Sequence, residues 1–114
     1  MAEKNAFQQL DEAATISAVK EFIVAYLKHY QNNTLEIFAQ YSVDYWMSDI
    51  NEFIAENSAY QPEELRKLLL KEYQPAFTQI LTKINPDYTA EGQLAVGTWD
   101  EWYHEHAMSL EQGQ

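Results

Sequence analysis

The residues best suited to chemistry in this chain of 114 residues are two histidines and a glutamate near its end. Glu101 and His104 have the Glu-x-x-His spacing by which helical bundles hold metal ions, because residues three apart share a helix face. A bundle site needs a second such motif and further carboxylates, and the motif occurs once here. His106 lies two residues from His104, which places it on an opposing side of a helix. We therefore expect no metal site and no cofactor.

The other reactive side chains form no catalytic pattern. None of the five serines has the glycine context of a nucleophile elbow, and the sequence has no glycine-rich phosphate loop. Carboxylates are abundant, but abundance on an acidic surface does not indicate a tuned catalytic pair. We expect His106 at the edge of the core with one hydrogen bond, and His29 on the surface. The sequence thus predicts a protein that is not an enzyme and has no catalytic residues.

Negative charge dominates the chain, with 18 Asp and Glu against seven Lys and Arg, for a net charge of −11. No Lys or Arg occurs between His29 and Leu65 or after Lys83. This field opposes direct binding to nucleic acids or anionic membranes, and we expect neither. No apolar run reaches the length of a membrane span, and the first residues lack the pattern of a signal peptide. The resulting prediction is a cytoplasmic protein.

The composition predicts an all-α fold in a single domain over residues 1–114. Ala, Leu, Glu, Gln and Lys are frequent, while three Gly and three Pro are too few for the turns of a many-stranded sandwich. Apolar residues recur with helical spacing in four segments, which predicts a bundle of four principal helices. Their approximate bounds are 15–31, 34–56, 62–84 and 99–111.

Several residues mark the ends and bends of these helices. Asn33 with Glu36, and Thr98 with Glu101, have the spacing of capping boxes for the second and fourth helices. Pro75 falls on the polar side of the third helix, so we expect a solvent-side kink there rather than a break. The apolar residues before position 11 do not continue the stripe of the first helix. This offset predicts a short extra helix or turn at the N-terminus.

The second predicted helix is apolar on two opposite faces. One stripe is wide enough to serve as a core face. It consists of Leu35, Ala39, Val43, Trp46, Met47, Ile50, Phe53 and Ile54. The opposite stripe has three rings followed by three acids, namely Phe38, Tyr41, Tyr45, Asp49, Glu52 and Glu56. A helix packed once against a domain needs no second aromatic stripe, so we expect another helix, a second subunit or a partner to cover it.

This second stripe is the predicted partner-binding surface. Aromatic anchors provide large apolar contact area, and flanking acids select a basic counterpart. The leading prediction is an acidic interaction module that binds a basic protein surface, as inhibitors, antitoxin or immunity proteins and anti-defence proteins do, with nucleic-acid mimicry as its sharper version. The alternatives are a stripe buried within the bundle, a homodimer paired through it, and a small-molecule sensor with an aromatic pocket. That pocket would be lined by Tyr26, Tyr30, Tyr41, Tyr45, Trp99, Trp102 and Tyr103.

Overall fold

The computed structural model describes residues 5–111, with side chains described as far as residue 106. A short 3-10 turn, Phe7–Gln9, precedes five α-helices. These are α1 (Glu12–Gln31), α2 (Glu36–Ala39), α3 (Asp44–Glu56), α4 (Pro62–Ile84) and α5 (Trp99–Glu111). Helices α1, α3, α4 and α5 each exceed two turns, and the described residues contain no β-strand. The predicted all-α bundle with four principal helices is therefore confirmed.

Helix α1 begins three residues earlier than predicted, because Asp11 caps it. The Asp11 carboxylate accepts a 2.8 Å hydrogen bond from the backbone N–H of Ala14, which satisfies a donor that the first helical turn leaves free. The predicted short N-terminal element is present as a 3-10 turn that buries Phe7, but it lies at Phe7–Gln9 and not around residues 11–15, where the sequence predicts it. Helix α1 then supplies the longest row of core side chains in the molecule.

The second predicted helix is not continuous, and this part of the prediction is wrong. Helix α2 ends at Ala39, and Ser42 has a φ of 63°, a left-handed conformation that interrupts an α-helix. The backbone N–H groups of Tyr41 and Ser42 donate to carbonyls only three residues back. Helix α3 then starts at Asp44 in a new direction. Side chains on the two segments therefore cannot form one stripe.

The predicted capping box at Asn33 is also wrong, because Asn33 ends α1 instead of starting the next helix. Asn33 has a φ of 59°. Its N–H donates to the carbonyl of Tyr30, and the N–H of Thr34 donates to the carbonyl of His29 at 2.9 Å. This pair of bonds is the Schellman motif, which asparagine supports because it tolerates the left-handed conformation. Helix α2 consequently begins at Glu36, and Leu35 before it supplies no side-chain cap.

Helix α4 is kinked, as Pro75 predicts. Pro75 is exposed, and Tyr73 has the non-helical angles φ −124° and ψ 18°. Proline cannot donate to the carbonyl four residues back, that of Lys71, and its ring crowds that carbonyl. The helix ends at Asn85, which has a φ of 51° and donates to the Leu81 carbonyl at 2.7 Å. The kink bends α4 around the core.

The segment 88–97, for which the sequence predicts at most a short turn, forms an ordered loop against α1. Tyr88 exchanges two 2.8 Å backbone hydrogen bonds with Asn5 and forms a second isolated bridge with Leu94. Gly92 has a φ of 90°, and a Cβ at this position would lie 2.3 Å from the carbonyl oxygen of Ala14. Glycine is therefore required here for both conformation and space.

Aromatic rings fill the core between α1, α2, α4 and α5. Phe22 is fully buried, and its ring centroid lies 5.1 Å from that of Phe38, 5.9 Å from Phe77 and 4.9 Å from Trp99. Tyr26 lies one turn further along α1 and packs edge-on against Phe77 at 5.5 Å. Rings at these distances attract one another beyond the effect of area burial. This cluster fixes α1 and α5 and so positions the surfaces described next.

Candidate functional site

The structure divides the predicted partner-binding stripe into a buried part and an exposed part. Phe38 is fully buried, and its ring stacks on Trp102 with centroids 5.8 Å apart. Tyr41 is half-buried at 6.2 Å from Trp102, and burial raises the pKa of its hydroxyl. Both rings precede the break at Ser42 and so turn toward α5. They are covered by the fold itself, as the alternative of a stripe buried within the bundle predicts.

The remaining four residues of the stripe lie together on the exposed side of α3. Tyr45 is 75% exposed, and Asp49, Glu52 and Glu56 are exposed as well. Positions that advance by four, three and four residues form a line along one helix face. We call this line of four residues the acidic face.

Side chains on the opposite side of α3 hold the acidic face in place. Met47, Ile50 and Ile54 are buried, as the predicted core stripe requires. Phe53 packs against Tyr73 of α4, with ring centroids 4.9 Å apart. The Tyr26 hydroxyl donates a 2.6 Å hydrogen bond to Oδ1 of Asn51 and so links α3 to α1. The acidic face is therefore carried by a helix anchored on two neighbours.

The carboxylates of the acidic face form no ion pair within residues 5–106. Among the described residues the one ion pair joins Lys28 to Asp100 at 2.8 Å, on other helices. The pKa of the Tyr73 hydroxyl is raised by burial and then by four neighbouring carboxylates, which belong to Asp49, Glu52, Glu56 and Glu72. Their shared effect on one hydroxyl shows that α3 and α4 together make a single negative region. Its charge is available to an external cation.

Three Lys and Arg side chains, by contrast, line a groove between α1 and α4, a feature that the sequence did not predict. The groove has a volume of about 230 Å³. Lys20 and Val24 of α1 line one side, and Arg66, Lys67 and Leu70 of α4 line the other. We call these five residues the basic groove. Lys20 on α1 is far in sequence from Arg66 and Lys67 on α4, so only the packing of the two helices brings these bases together.

Val24 is the apolar centre of the basic groove. It is 50% exposed, whereas the apolar residues on the inner side of α1 are buried. Leu70 is half-buried beside it. Three cations and the carboxylate of Glu63 surround these two residues. The groove thus combines an apolar floor with a positive rim in a protein whose net charge is −11.

His29 is buried, so its predicted surface location is wrong. It is 5% exposed, and its ring packs at 4.6 Å from Tyr103 and 5.3 Å from Phe38. Its Nδ1 shares a 2.7 Å hydrogen bond with the Thr34 hydroxyl. Burial lowers the pKa of His29, the positive charge of Lys28 lowers it further, and Asp100 opposes the shift. This histidine is a neutral member of the core.

His106 has the core-edge position and the single hydrogen bond that the sequence predicts. It is half-buried and stacks on Trp102 with ring centroids 4.0 Å apart. Its Nδ1 lies 2.8 Å from the Trp102 carbonyl, and since a carbonyl only accepts, Nδ1 carries the proton. His104 is exposed, and no three metal-ligating side chains converge in the described part of the chain.

A second groove, of about 420 Å³, lies beside His106 between the end of α4, the 88–97 loop and α5. Trp102 and Leu94 supply apolar walls, and Asp87 and Glu105 supply carboxylates. The aromatic pocket predicted from the sequence is not formed, because the rings expected to line it lie in different places. Of its seven rings, Trp102, Trp99 and Tyr30 border three different grooves, while Tyr26 is fully buried in the core.

No family model, curated protein or solved structure matches this chain. Within residues 5–111, none of the helices is both long enough and apolar enough to span a membrane.

Proposed function

We propose that this protein is a non-enzymatic interaction module whose acidic face binds a basic surface on another protein. The observation that carries the proposal is the exposure of Tyr45, at 75%, in line with three carboxylates that form no ion pair among the described residues. The Tyr45 ring lies outside the core cluster and contacts the neighbouring ring of Trp46 at 5.9 Å, so most of its surface is available to a partner. Inhibitors, immunity or antitoxin proteins and anti-defence proteins act through surfaces of this kind, and we place the protein among them in the cytoplasm.

The chemistry of the acidic face defines its partner. Tyr45 offers a flat apolar ring with a polar tip, which suits contact with an arginine guanidinium or an apolar patch. Asp49, Glu52 and Glu56 are exposed, so their charges act mainly by steering the encounter and by rejecting acidic partners. Each exposed ion pair adds little affinity, in the range of about 0–1 kcal/mol. We therefore expect a partner with clustered lysines or arginines and association that slows as salt is added.

The spacing of the carboxylates favours a protein-docking role over nucleic-acid mimicry. Neighbouring acids on α3 are three or four residues apart, which corresponds to roughly 4.5–6 Å along a helix. Each strand of duplex DNA carries a charge about every 3.4 Å of the axis, and a second strand runs beside it. A single line of three carboxylates is thus sparser than one strand, by a factor of about 1.3–1.8, and has no second row. Mimicry would need further acids from the partner-facing side of α4.

Affinity capture from the source cell tests the proposal. Wild type should capture a basic protein, and Glu52→Lys/Glu56→Lys should lose it with the helical circular dichroism unchanged. The matched control is Glu12→Lys/Glu91→Lys, which makes the same change in net charge at exposed positions off the acidic face. If both doubles lose the partner equally, net charge rather than the acidic face governs binding. If both retain it, the acidic face plays no part.

The groove beside His106 favours a second candidate function, the binding of a small organic cation. Its walls are aromatic and apolar, and the carboxylates of Asp87 and Glu105 lie at its margin. Since Nδ1 donates to the Trp102 carbonyl, Nε2 is the ring nitrogen left to face a ligand in this groove. A thermal-shift series of aromatic amines tests this candidate. An amine that raises the melting temperature of wild type but not that of Asp87→Asn/Glu105→Gln supports this candidate. If no amine in the series raises the melting temperature, this candidate function is wrong.

A further inference from the structure

The two charged surfaces of this chain complement each other. The acidic face presents three carboxylates beside the exposed ring of Tyr45. The basic groove presents three cations around the half-exposed side chain of Val24. Each surface thus has one large, exposed apolar residue, beside three carboxylates on the acidic face and beside three cations and the single carboxylate of Glu63 in the groove. We infer that the acidic face of one copy docks in the basic groove of a second copy, so that the chain associates with itself head to tail.

The basic groove provides what the acidic face lacks. Tyr45 needs an apolar floor, which Val24 and Leu70 form. The acids on α3 need cations, and Lys20 and Lys67 lie exposed on opposite walls of the groove. An aromatic side chain seated between aliphatic residues and ringed by charge is the usual anatomy of an interface centre with a polar rim.

In the part of the chain that the structure describes, neither surface takes part in an ion pair. The described ion pair, Lys28–Asp100, involves neither the acidic face nor the five residues of the basic groove. Arg66 is half-buried in the groove, with no described carboxylate paired to it. A guanidinium held in place by packing loses little side-chain freedom when a carboxylate arrives. Arg66 is therefore the residue of the groove best prepared for an acidic partner.

A two-fold pairing of acidic faces, the dimer expected from the sequence, is disfavoured by the same charges. It would set Asp49, Glu52 and Glu56 of one copy against the same residues of the other, and like charges in contact are repulsive. Head-to-tail pairing instead sets three carboxylates against a groove with three cations and one carboxylate, that of Glu63. Because each copy keeps one free surface of each kind, such contacts are heterologous and extend to further copies unless the geometry closes a ring.

The net charge of −11 sets the conditions under which this association appears. Long-range repulsion between copies acts over the whole surface, whereas the proposed contacts act at close range. At about 0.1 M salt, charges more than about 10 Å apart are largely screened, so the short-range attraction then outweighs the repulsion. We expect self-association to be strongest near this ionic strength and to decline toward about 1 M salt, where the screening length is about 3 Å.

The test is sedimentation velocity of the whole chain over a concentration series, with two variants mixed. Lys20→Glu/Lys67→Glu disables the groove and Glu52→Lys/Glu56→Lys disables the acidic face, so each alone should be a monomer. Mixed in equal amounts they should associate again, because the intact face is complementary to the intact groove and the two charge-reversed surfaces are complementary to each other. Lys83→Glu, an exposed site on α4 away from the groove, should assemble like wild type.

Each other result overturns the inference. A monomeric wild type at all concentrations does so, as does a groove variant that assembles like wild type or a mixture that stays monomeric. The inference rests on the proposed function, because it names the basic surface that the acidic face recognises. The two fail separately: if Lys20→Glu/Lys67→Glu still captures a basic cellular protein while wild type is monomeric, the proposed function stands and the self-association does not.

Discussion

The hydroxyl of Tyr26 donates a 2.6 Å hydrogen bond to Oδ1 of Asn51, which joins the centre of α1 to the helix that carries the acidic face. The Tyr26 side chain is fully buried in the core, and this burial raises the pKa of its hydroxyl. Asn51 is half-buried, so its amide retains some access to solvent. The bond therefore both stabilises the bundle and fixes the orientation of α3.

Removal of this hydrogen bond should weaken the fold measurably. Tyr26→Phe keeps the ring and is expected to lower the free energy of unfolding by about 1 kcal/mol, since Asn51 can turn to water for a substitute partner. Urea denaturation measures the loss. In a double-mutant cycle with Asn51→Ala, the two losses should be less than additive; full additivity would mean that the bond contributes nothing.

The two ends of the predicted stripe should respond in opposite ways to truncation. Phe38→Ala removes a fully buried ring and should cost about 3–5 kcal/mol of stability. Tyr45→Ala removes a ring that is 75% exposed and should change stability by less than about 0.5 kcal/mol, while weakening capture of a partner. Thermal denaturation and the capture assay distinguish the two. Equal losses of stability would place Tyr45 in the fold rather than in an interface.

A substitution of Ser42 distinguishes a broken helix from a continuous one, because the two structures predict changes in stability of opposite sign. In the structure Ser42 has a φ of 63°, a conformation in which glycine carries no steric penalty. Ser42→Gly should therefore raise the free energy of unfolding by about 0.5–1 kcal/mol. In an unbroken helix over 34–56 the same change would be destabilising, because glycine disfavours helix interiors. The direction of the shift in the urea midpoint decides between them.

His29 should make stability depend on pH between neutrality and mild acid. Its pKa in the folded state lies below the ordinary 6.5, because burial and then Lys28 disfavour the charged form. As the pH falls through about 6.5, the unfolded chain takes up this proton first, so stability should decline toward acid and be full above that pH. His29→Gln should flatten the decline between about pH 7 and pH 5, above the main titration of carboxylates. The control His104→Gln, at an exposed site, should keep the wild-type slope.

Local signals predicted much of the secondary structure. The capping box at Thr98 forms as expected, with the Thr98 N–H donating to the Glu101 carboxylate at 3.1 Å and the Glu101 N–H donating to the Thr98 hydroxyl at 3.2 Å. Helix α5 therefore occupies its predicted bounds, and the kink in α4 follows from Pro75 alone. Caps and prolines act within one turn of chain, so the sequence contains all the information they need.

The same local signals gave wrong predictions where one sequence motif is compatible with two backbone structures. Asn33 fits both the start of a helix and the left-handed end of the preceding one, and packing of α2 under α5 selected the second. Apolar spacing through residues 34–56 is compatible with a single rod, but burying Phe38 against Trp102 requires a turn in the chain. The gain from stacking a fully buried ring exceeds the cost of one left-handed serine.

By itself, the sequence determined an acidic all-α protein, the number of its principal helices, the bounds of the third and fourth of them, and the line of acids on α3. These depend on composition, periodicity and caps, which are properties of short stretches of chain. Only the tertiary structure decided which aromatic rings are buried and which charged side chains lie near one another. Phe38 is buried while Tyr45 is exposed, and Lys20 faces Arg66 and Lys67 across a groove. Such outcomes depend on how distant helices pack, because contacts between residues far apart in sequence leave no periodic mark on either segment.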